Sequence, residues 1–187
     1  MAVCLAERLA ARRPGVLVAP ALPYGASGEH AGFAGTLSIG QQALEHVVVE
    51  LCRSATASVR RILLLNGHGG NVGALRRAVD LLRTEGRDVR TWSPHWPGDA
   101  HAGHTETSVQ LALSPTRVRV ELARRGTTTA LAELLPALRA SGVRAASADG
   151  VLGDPTRASA EHGRELLDAA QSDLLALVDG WSPEAGR

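Results

Sequence analysis

An α/β fold, with a mostly parallel sheet flanked by helices in three layers, is what this sequence predicts. Two observations carry the prediction. Short runs such as VLVA at Val16–Ala19 and ILLL at Ile62–Leu65 are apolar at every position, as strands covered on both faces must be. Those runs alternate with helix-period segments, the order that builds layers of helix on a parallel sheet. A third observation bears on domain count: no internal repeat or low-complexity linker interrupts residues 1–187, so a single domain is expected.

Met1 to Ala11 places Leu5 and Leu9 on one face and reads as a helix. It has no Ser, Thr, Asp or Asn before it to satisfy its first N–H groups. Val16–Ala19 reads as a strand ended by Pro20, and a Gly-rich loop follows through Gly35. Gln41 to Ala57 reads as a helix, Ile62 to Leu65 as a buried strand, and Val72 to Thr84 as a helix stopped near Gly86. Val89 to Trp92 is the third predicted strand. Helices are expected from Thr105 to Leu113, Ala130 to Ala140 and Ser159 to Val178, and the tail WSPEAGR is expected to fray.

Composition removes several function classes. The formal net charge is +1, and all 20 basic residues are Arg, diluted by 19 acidic ones. No one-sided basic face for nucleic acid follows from that pattern, and 3% aromatics provide few platforms for stacking bases. The absence of Lys excludes Schiff-base chemistry and a Walker A lysine. Cys4 and Cys52 lie far apart and read as small buried hydrophobes rather than a disulfide framework. No apolar run is long enough to cross a membrane and no signal peptide opens the chain, so the expected compartment is the cytoplasm.

Chemistry concentrates in four segments. Asn66-Gly67-His68-Gly69-Gly70-Asn71 follows the strand Ile62–Leu65. Loops at the carboxyl ends of strands are where α/β sheets gather functional groups. Glycines on both sides of His68 allow close backbone approach to a ligand or metal; a structural histidine in a tight turn is the alternative. In Asp99 to Ser108, His101, His104 and Glu106 fall within six residues at a strand-to-helix junction. Imidazole plus carboxylate suits Zn²⁺, Fe²⁺ or Mn²⁺, although Glu106 in a first helical turn is also favoured by the helix dipole alone. Tyr24 to Thr36 sets Glu29 and His30 beside the chain's single Tyr and single Phe, and lacks the G-x-S-x-G of a serine hydrolase. Gly150 to Thr156 reads as a turn opening the last helix. His46 and His162 have no evident partners, and His95 is ambiguous.

The strand–NGHGGN junction, the HAGxxETS segment, the EHxGFxGT loop and the GDPT turn, taken together, resemble the creatininase family of amidohydrolases. Within that family, YGASGEHAGF and TTTALAELLPALRASGVRA are similar to the subgroup of the mycofactocin pathway. The resemblance implies a creatininase-like α/β fold and a divalent metal centre, Fe²⁺ or Zn²⁺ with Mn²⁺ as a further option, often binuclear, that activates water against an amide carbonyl. It makes His68 and Glu106 metal ligands, His101 a catalytic proton-transfer or substrate group, and Glu29, His30 and Asn71 substrate contacts. For the subgroup it implies release of a C-terminal dipeptide from a modified precursor peptide, and for the family a homo-oligomer.

Two departures qualify what the resemblance implies. Creatininase proper has a tyrosine and a glutamate where this chain has Gly69 and Gly70, which argues against creatinine as substrate. The family's remaining ligands, an early Glu-x-His pair and an Asp, precede the first helix, so the expectation is a single domain without the N-terminal strand and metal-ligand loop. Two alternatives stay open on this reading: an amidohydrolase for a small cyclic amide or formamide, and an inactive fragment serving as an assembly subunit.

Overall fold

The computed structural model describes residues 1–181. Its sheet pairs β1 (Arg61–Leu65) with β2 (Asp88–Trp92) in parallel, register Arg61 to Asp88 through Leu65 to Trp92. Between them runs α3 (Val72–Thr84), giving one strand–helix–strand unit. Alternation along β1 sends Ile62 and Leu64 to one face and Leu63 and Leu65 to the other.

Each face has its own core. On the first, α2 (Gly40–Ala55) and α3 pack Leu44, Val48, Leu75, Ala78 and Leu82 over Val89. On the second, α1 (Ala2–Arg12), α4 (His104–Leu113) and α7 (Ala160–Asp179) pack Leu5, Leu9, Val109, Leu167 and Leu174 against Trp92. Leu82 and Leu174 are fully buried, so truncating either to Ala would cost about 2–5 kcal/mol. Helix, sheet and helix therefore make three layers, as expected. Helices α4 and α7 touch through Gly163, where a Cβ would lie 1.9 Å from the Ser108 carbonyl oxygen.

Most predicted elements stand within a residue or two, and α3 has the expected bounds. Helix α5 spans Leu131–Ser141, with a short α6 at Val143–Ala146. As expected, α1 has no side-chain cap. The exception is Val16–Ala19, which belongs to no strand. A strand exists only by pairing, and the described ladder joins β1 and β2 alone. Val16 still packs on the second core, while Leu17 is 83% exposed.

Three further expectations change. Trp181, assigned to a fraying tail, is buried between Arg90 and Arg61, and its Nε1 donates to Asp88 at 2.9 Å; the expectation for residues 182–187 lies outside the described residues. His162 has partners, Glu165 at 3.3 Å and the His104 ring at 4.9 Å. Cys52 is buried as expected, but Cys4 is only half-buried. Among the described residues, no helix is long and apolar enough to cross a membrane.

Candidate active site

The loop after β1 is built by its asparagines. Asn66 N–H extends the ladder to the Trp92 carbonyl at 2.8 Å. Its buried side chain donates to the His68 carbonyl at 2.9 Å and accepts from His68 N–H at 3.2 Å, which fixes the turn that presents His68. Asn71 donates to Asn66 Oδ1 at 3.2 Å and accepts from Ala26 N–H at 2.9 Å. Asn71, expected from the resemblance to contact substrate, thus clasps the Ser27–His30 turn to the His68 loop.

That clasp brings together residues about forty positions apart. His68 Nε2 lies 2.9 Å from Glu29 Oε1 and 3.2 Å from Ser27 Oγ. His30 Nε2 lies 3.6 Å from the same Glu29 oxygen. One ligand atom from each of Glu29, His30 and His68 falls within 4.8 Å of the others, a spacing that a single ion could bridge. Burial holds the His30 imidazole below its usual pKa, with the neighbouring His101 charge acting the same way. The neutral, metal-binding form of His30 is therefore favoured.

The second expected segment meets the first through rings: His30 and His101 centroids are 4.7 Å apart, and His30 and His68 are 5.8 Å apart. His101 Nδ1 lies 3.3 Å from Glu106 Oε2, which also accepts from Ala102 N–H at 2.6 Å. Ala102 has φ +52°, a left-handed conformation costly for a residue with a side chain. Strain of this kind collects at functional sites, and here it accompanies the N–H that meets Glu106. The hydrogen bond to Glu106 raises the His101 pKa against the effect of burial. The same bond lowers that of Glu106, assisted by Ala102 N–H. The hydrogen bond thus favours the charged form of both partners.

The fourth segment positions the second. Leu152 exchanges backbone hydrogen bonds with His101 at 2.9 and 3.2 Å. Asp99 Oδ2 accepts from His104 N–H at the start of α4 and from Asp154 N–H at 3.3 Å. Sequence reasoning gave no role to Asp99, Asn66 or Ser27; all three lie inside segments already singled out, and their signal was an acceptor type within a Gly-rich turn. Glu29, His30, His68, His101 and Glu106 all line one open cleft of about 1760 Å³. Asn71 is not among its lining residues.

The family described as creatininase, creatinine amidohydrolase, matches residues 1–178. The chain belongs to the creatininase family. Two curated relatives are mycofactocin precursor peptide peptidases. That of Mycobacterium tuberculosis is 55% identical over 170 residues, 90% of this chain and 67% of the relative. That of Mycobacterium ulcerans is 51% identical over 178 residues, 94% and 71% of the two chains. A solved creatinine amidohydrolase superposes with a TM-score of 0.76 at 25% identity, over 98% of this chain and 82% of the other. Creatininases solved in a manganese form and a Zn–Zn form share the fold, with TM-scores of 0.77 and 0.75 at 24% identity. Across the family frame, the donor set here is two imidazoles and a carboxylate, with the His101–Glu106 pair beside them, and that chemistry suits a divalent metal.

Proposed function

We propose that this chain is a metal-dependent amide hydrolase that releases a C-terminal dipeptide from a modified precursor peptide of the mycofactocin pathway. The observation that carries the reading is the convergence of Glu29, His30 and His68 within 4.8 Å, beside the His101–Glu106 pair at 3.3 Å. His68, Glu29 and His30 would hold the ion. Glu106, the other ligand that the resemblance implies, keeps one carboxylate oxygen without a hydrogen bond among the described residues, since Oε2 serves His101 and Ala102. A bound divalent ion, Zn²⁺, Fe²⁺ or Mn²⁺, lowers the pKa of water toward neutrality and polarises the amide carbonyl.

The protein's own share is proton transfer and orientation. His101 is biased toward its protonated form because Nδ1–H donates to Glu106 Oε2, leaving Nε2–H to donate to the departing amine. Glu106 fixes the ring's orientation as well as its charge. Cleft size favours a peptide over a small cyclic amide, since about 1760 Å³ exceeds the 300–1,000 Å³ or so that small molecules fill. The proposal also takes the chain to be a cytoplasmic homo-oligomer, consistent with the exposed apolar stretch at Leu17, Val18 and Leu22.

Metal content by mass spectrometry, read together with the mass of peptide products, tests this reading. The parent chain should bind an ion and shed a dipeptide from the precursor. His68→Ala should lose the ion and slow cleavage by at least a hundredfold, as loss of a ligand from a three-donor set implies. Cleavage by His68→Ala at the parent rate would overturn the assignment.

A further inference from the structure

A second pair of imidazoles stands outside the cleft. His104 opens α4 and His162 lies in the first turn of α7, with ring centroids 4.9 Å apart and an interplanar angle of 41°. Neither lines the cavity that holds Glu29, His30 and His68. The two helices are pinned together at this point. Ser159, the N-cap of α7, donates its N–H to Ser108 Oγ of α4 at 3.1 Å, and its own Oγ accepts from His162 N–H at 3.1 Å. Gly163, with no Cβ, lets α7 sit against the Ser108 carbonyl. Both rings are therefore held at the seam, half-buried.

Each ring has one nitrogen engaged in the manner of a metal ligand. His104 Nε2 lies 3.1 Å from the Arg157 carbonyl oxygen, and His162 Nδ1 lies 3.3 Å from Glu165 Oε2. A carbonyl or an ionised carboxylate only accepts, so these nitrogens carry the protons. In the neutral rings the lone pairs are left on His104 Nδ1 and His162 Nε2, and neither atom has a hydrogen bond among the described residues. A carbonyl or carboxylate behind the ring is the arrangement that orients ligating histidines and raises their basicity. The spacing agrees: with metal–nitrogen bonds of about 2.0–2.1 Å, two imidazoles on one ion have centroids about 4.5–5.2 Å apart. Both helices begin here, and their dipoles oppose a cation. Carboxylates offset that: Asp99 Oδ2 accepts from His104 N–H, and Glu161 lies in the first turn of α7 with Glu165 one turn on.

We propose that His104 and His162 form an accessory site for a divalent transition ion, separate from the cluster in the cleft, that braces α4 against α7. Two imidazoles completed by water are a nitrogen–oxygen set that suits Cu²⁺ best, with Ni²⁺ and Zn²⁺ behind it. No third His, Cys, Asp or Glu donor joins the pair among the described residues, so this site fills after the three-donor cluster. Helix α4 also carries Glu106, so the brace acts on the element that orients His101.

Copper titrated into the chelator-treated full chain, with low-temperature electron paramagnetic resonance reading the ligands, tests the site. In His68→Ala, where the cluster has lost a donor, one Cu²⁺ should still bind and show two equatorial nitrogens. On that background Glu165→Ala should weaken the ion roughly tenfold, the scale of losing the group behind a ligating histidine, and keep both nitrogens in the spectrum. His104→Asn and His162→Asn should each weaken it further than that and remove the two-nitrogen signature. His46→Asn, which changes an exposed histidine of α2, should alter neither affinity nor spectrum. Thermal unfolding without metal checks that each variant is folded, and Glu165→Ala leaves both imidazoles in place should a histidine variant fail to fold. An ion indifferent to His104→Asn and His162→Asn would sink the proposal. A one-nitrogen spectrum in His68→Ala, or an unchanged affinity in Glu165→Ala, would do the same.

Discussion

A Cβ built at Gly70 would lie 2.2 Å from the Ala26 carbonyl oxygen and 2.5 Å from both Glu29 Oε1 and His68 Nε2, whereas one at Gly69 meets no atom within 4 Å. The obstacle at residue 70 includes backbone, which cannot swing aside as a side chain can. Gly70→Ala should therefore destabilise the protein by about 1–3 kcal/mol, the usual range for overpacking, and weaken metal affinity at least tenfold by parting Glu29 from His68. Gly69→Ala should change neither by a measurable amount. Denaturant midpoints and metal titrations on both variants check the contrast, and equal effects at the two positions would show that the close approach at Gly70 is unimportant. At this scale the sequence pointed to segments that do converge: His68, His101, Glu106, Glu29 and His30 line one cleft. It did not reveal their partners. Asn71, expected to contact substrate, also clasps two loops, because its acceptor and donor meet Ala26 and Asn66. Such bonds depend on which loop lies alongside, and local spacing does not encode that.

Elements were legible where their signal is internal to them. Helix periodicity located α2, α3, α4 and α7, and full apolarity located the Ile62–Leu65 run of β1, since both follow from the segment's own burial pattern. The VLVA run failed because pairing belongs to two segments at once. Charged contacts between elements were likewise invisible. Glu85, just past α3, accepts from Arg53 of α2 at 3.1 Å and from Arg87 ahead of β2 at 3.0 Å. These two guanidinium groups hold its carboxyl down to about 2, from an ordinary 4.5. A pKa depressed by folding adds stability that is fully present above about pH 4.5 and is lost as pH falls toward 2. Glu85→Gln should accordingly lower the urea midpoint at pH 7 and leave it unchanged near pH 2, so that the two stability curves converge across that window. Parallel curves from pH 7 to pH 2 would mean that the ion pairs are too well solvated to bias folding.

The whole molecule joins one rigid frame to loops that carry the chemistry. Helices α2 and α3 on one face, and α1, α4 and α7 on the other, bury the two cores. Glu29 and His30 instead sit on a short turn, Gly28–His30, reached through the exposed run at Leu17 and Val18. His68 sits on the frame, at the end of β1. An ion held by all three would tie the loop to the frame and bind the folded chain far better than the unfolded one. At a free concentration a hundred times Kd, that linkage stabilises by about 2.7 kcal/mol. For a chain of this size each kcal/mol moves Tm by roughly 2–4 °C, so adding Zn²⁺ or Mn²⁺ to chelator-treated protein should raise Tm by roughly 5–10 °C. His68→Ala and Glu29→Gln should each abolish most of that rise while keeping a metal-free Tm near the parent's, because neither side chain belongs to a core. Hydrogen exchange adds a local readout: the amides of the Gly28–His30 turn should slow on metal addition, and those of α3 should change only as much as global stability does. If Tm rises equally in the parent and in His68→Ala, the ion binds elsewhere, and the loop–frame tie is not what the metal makes.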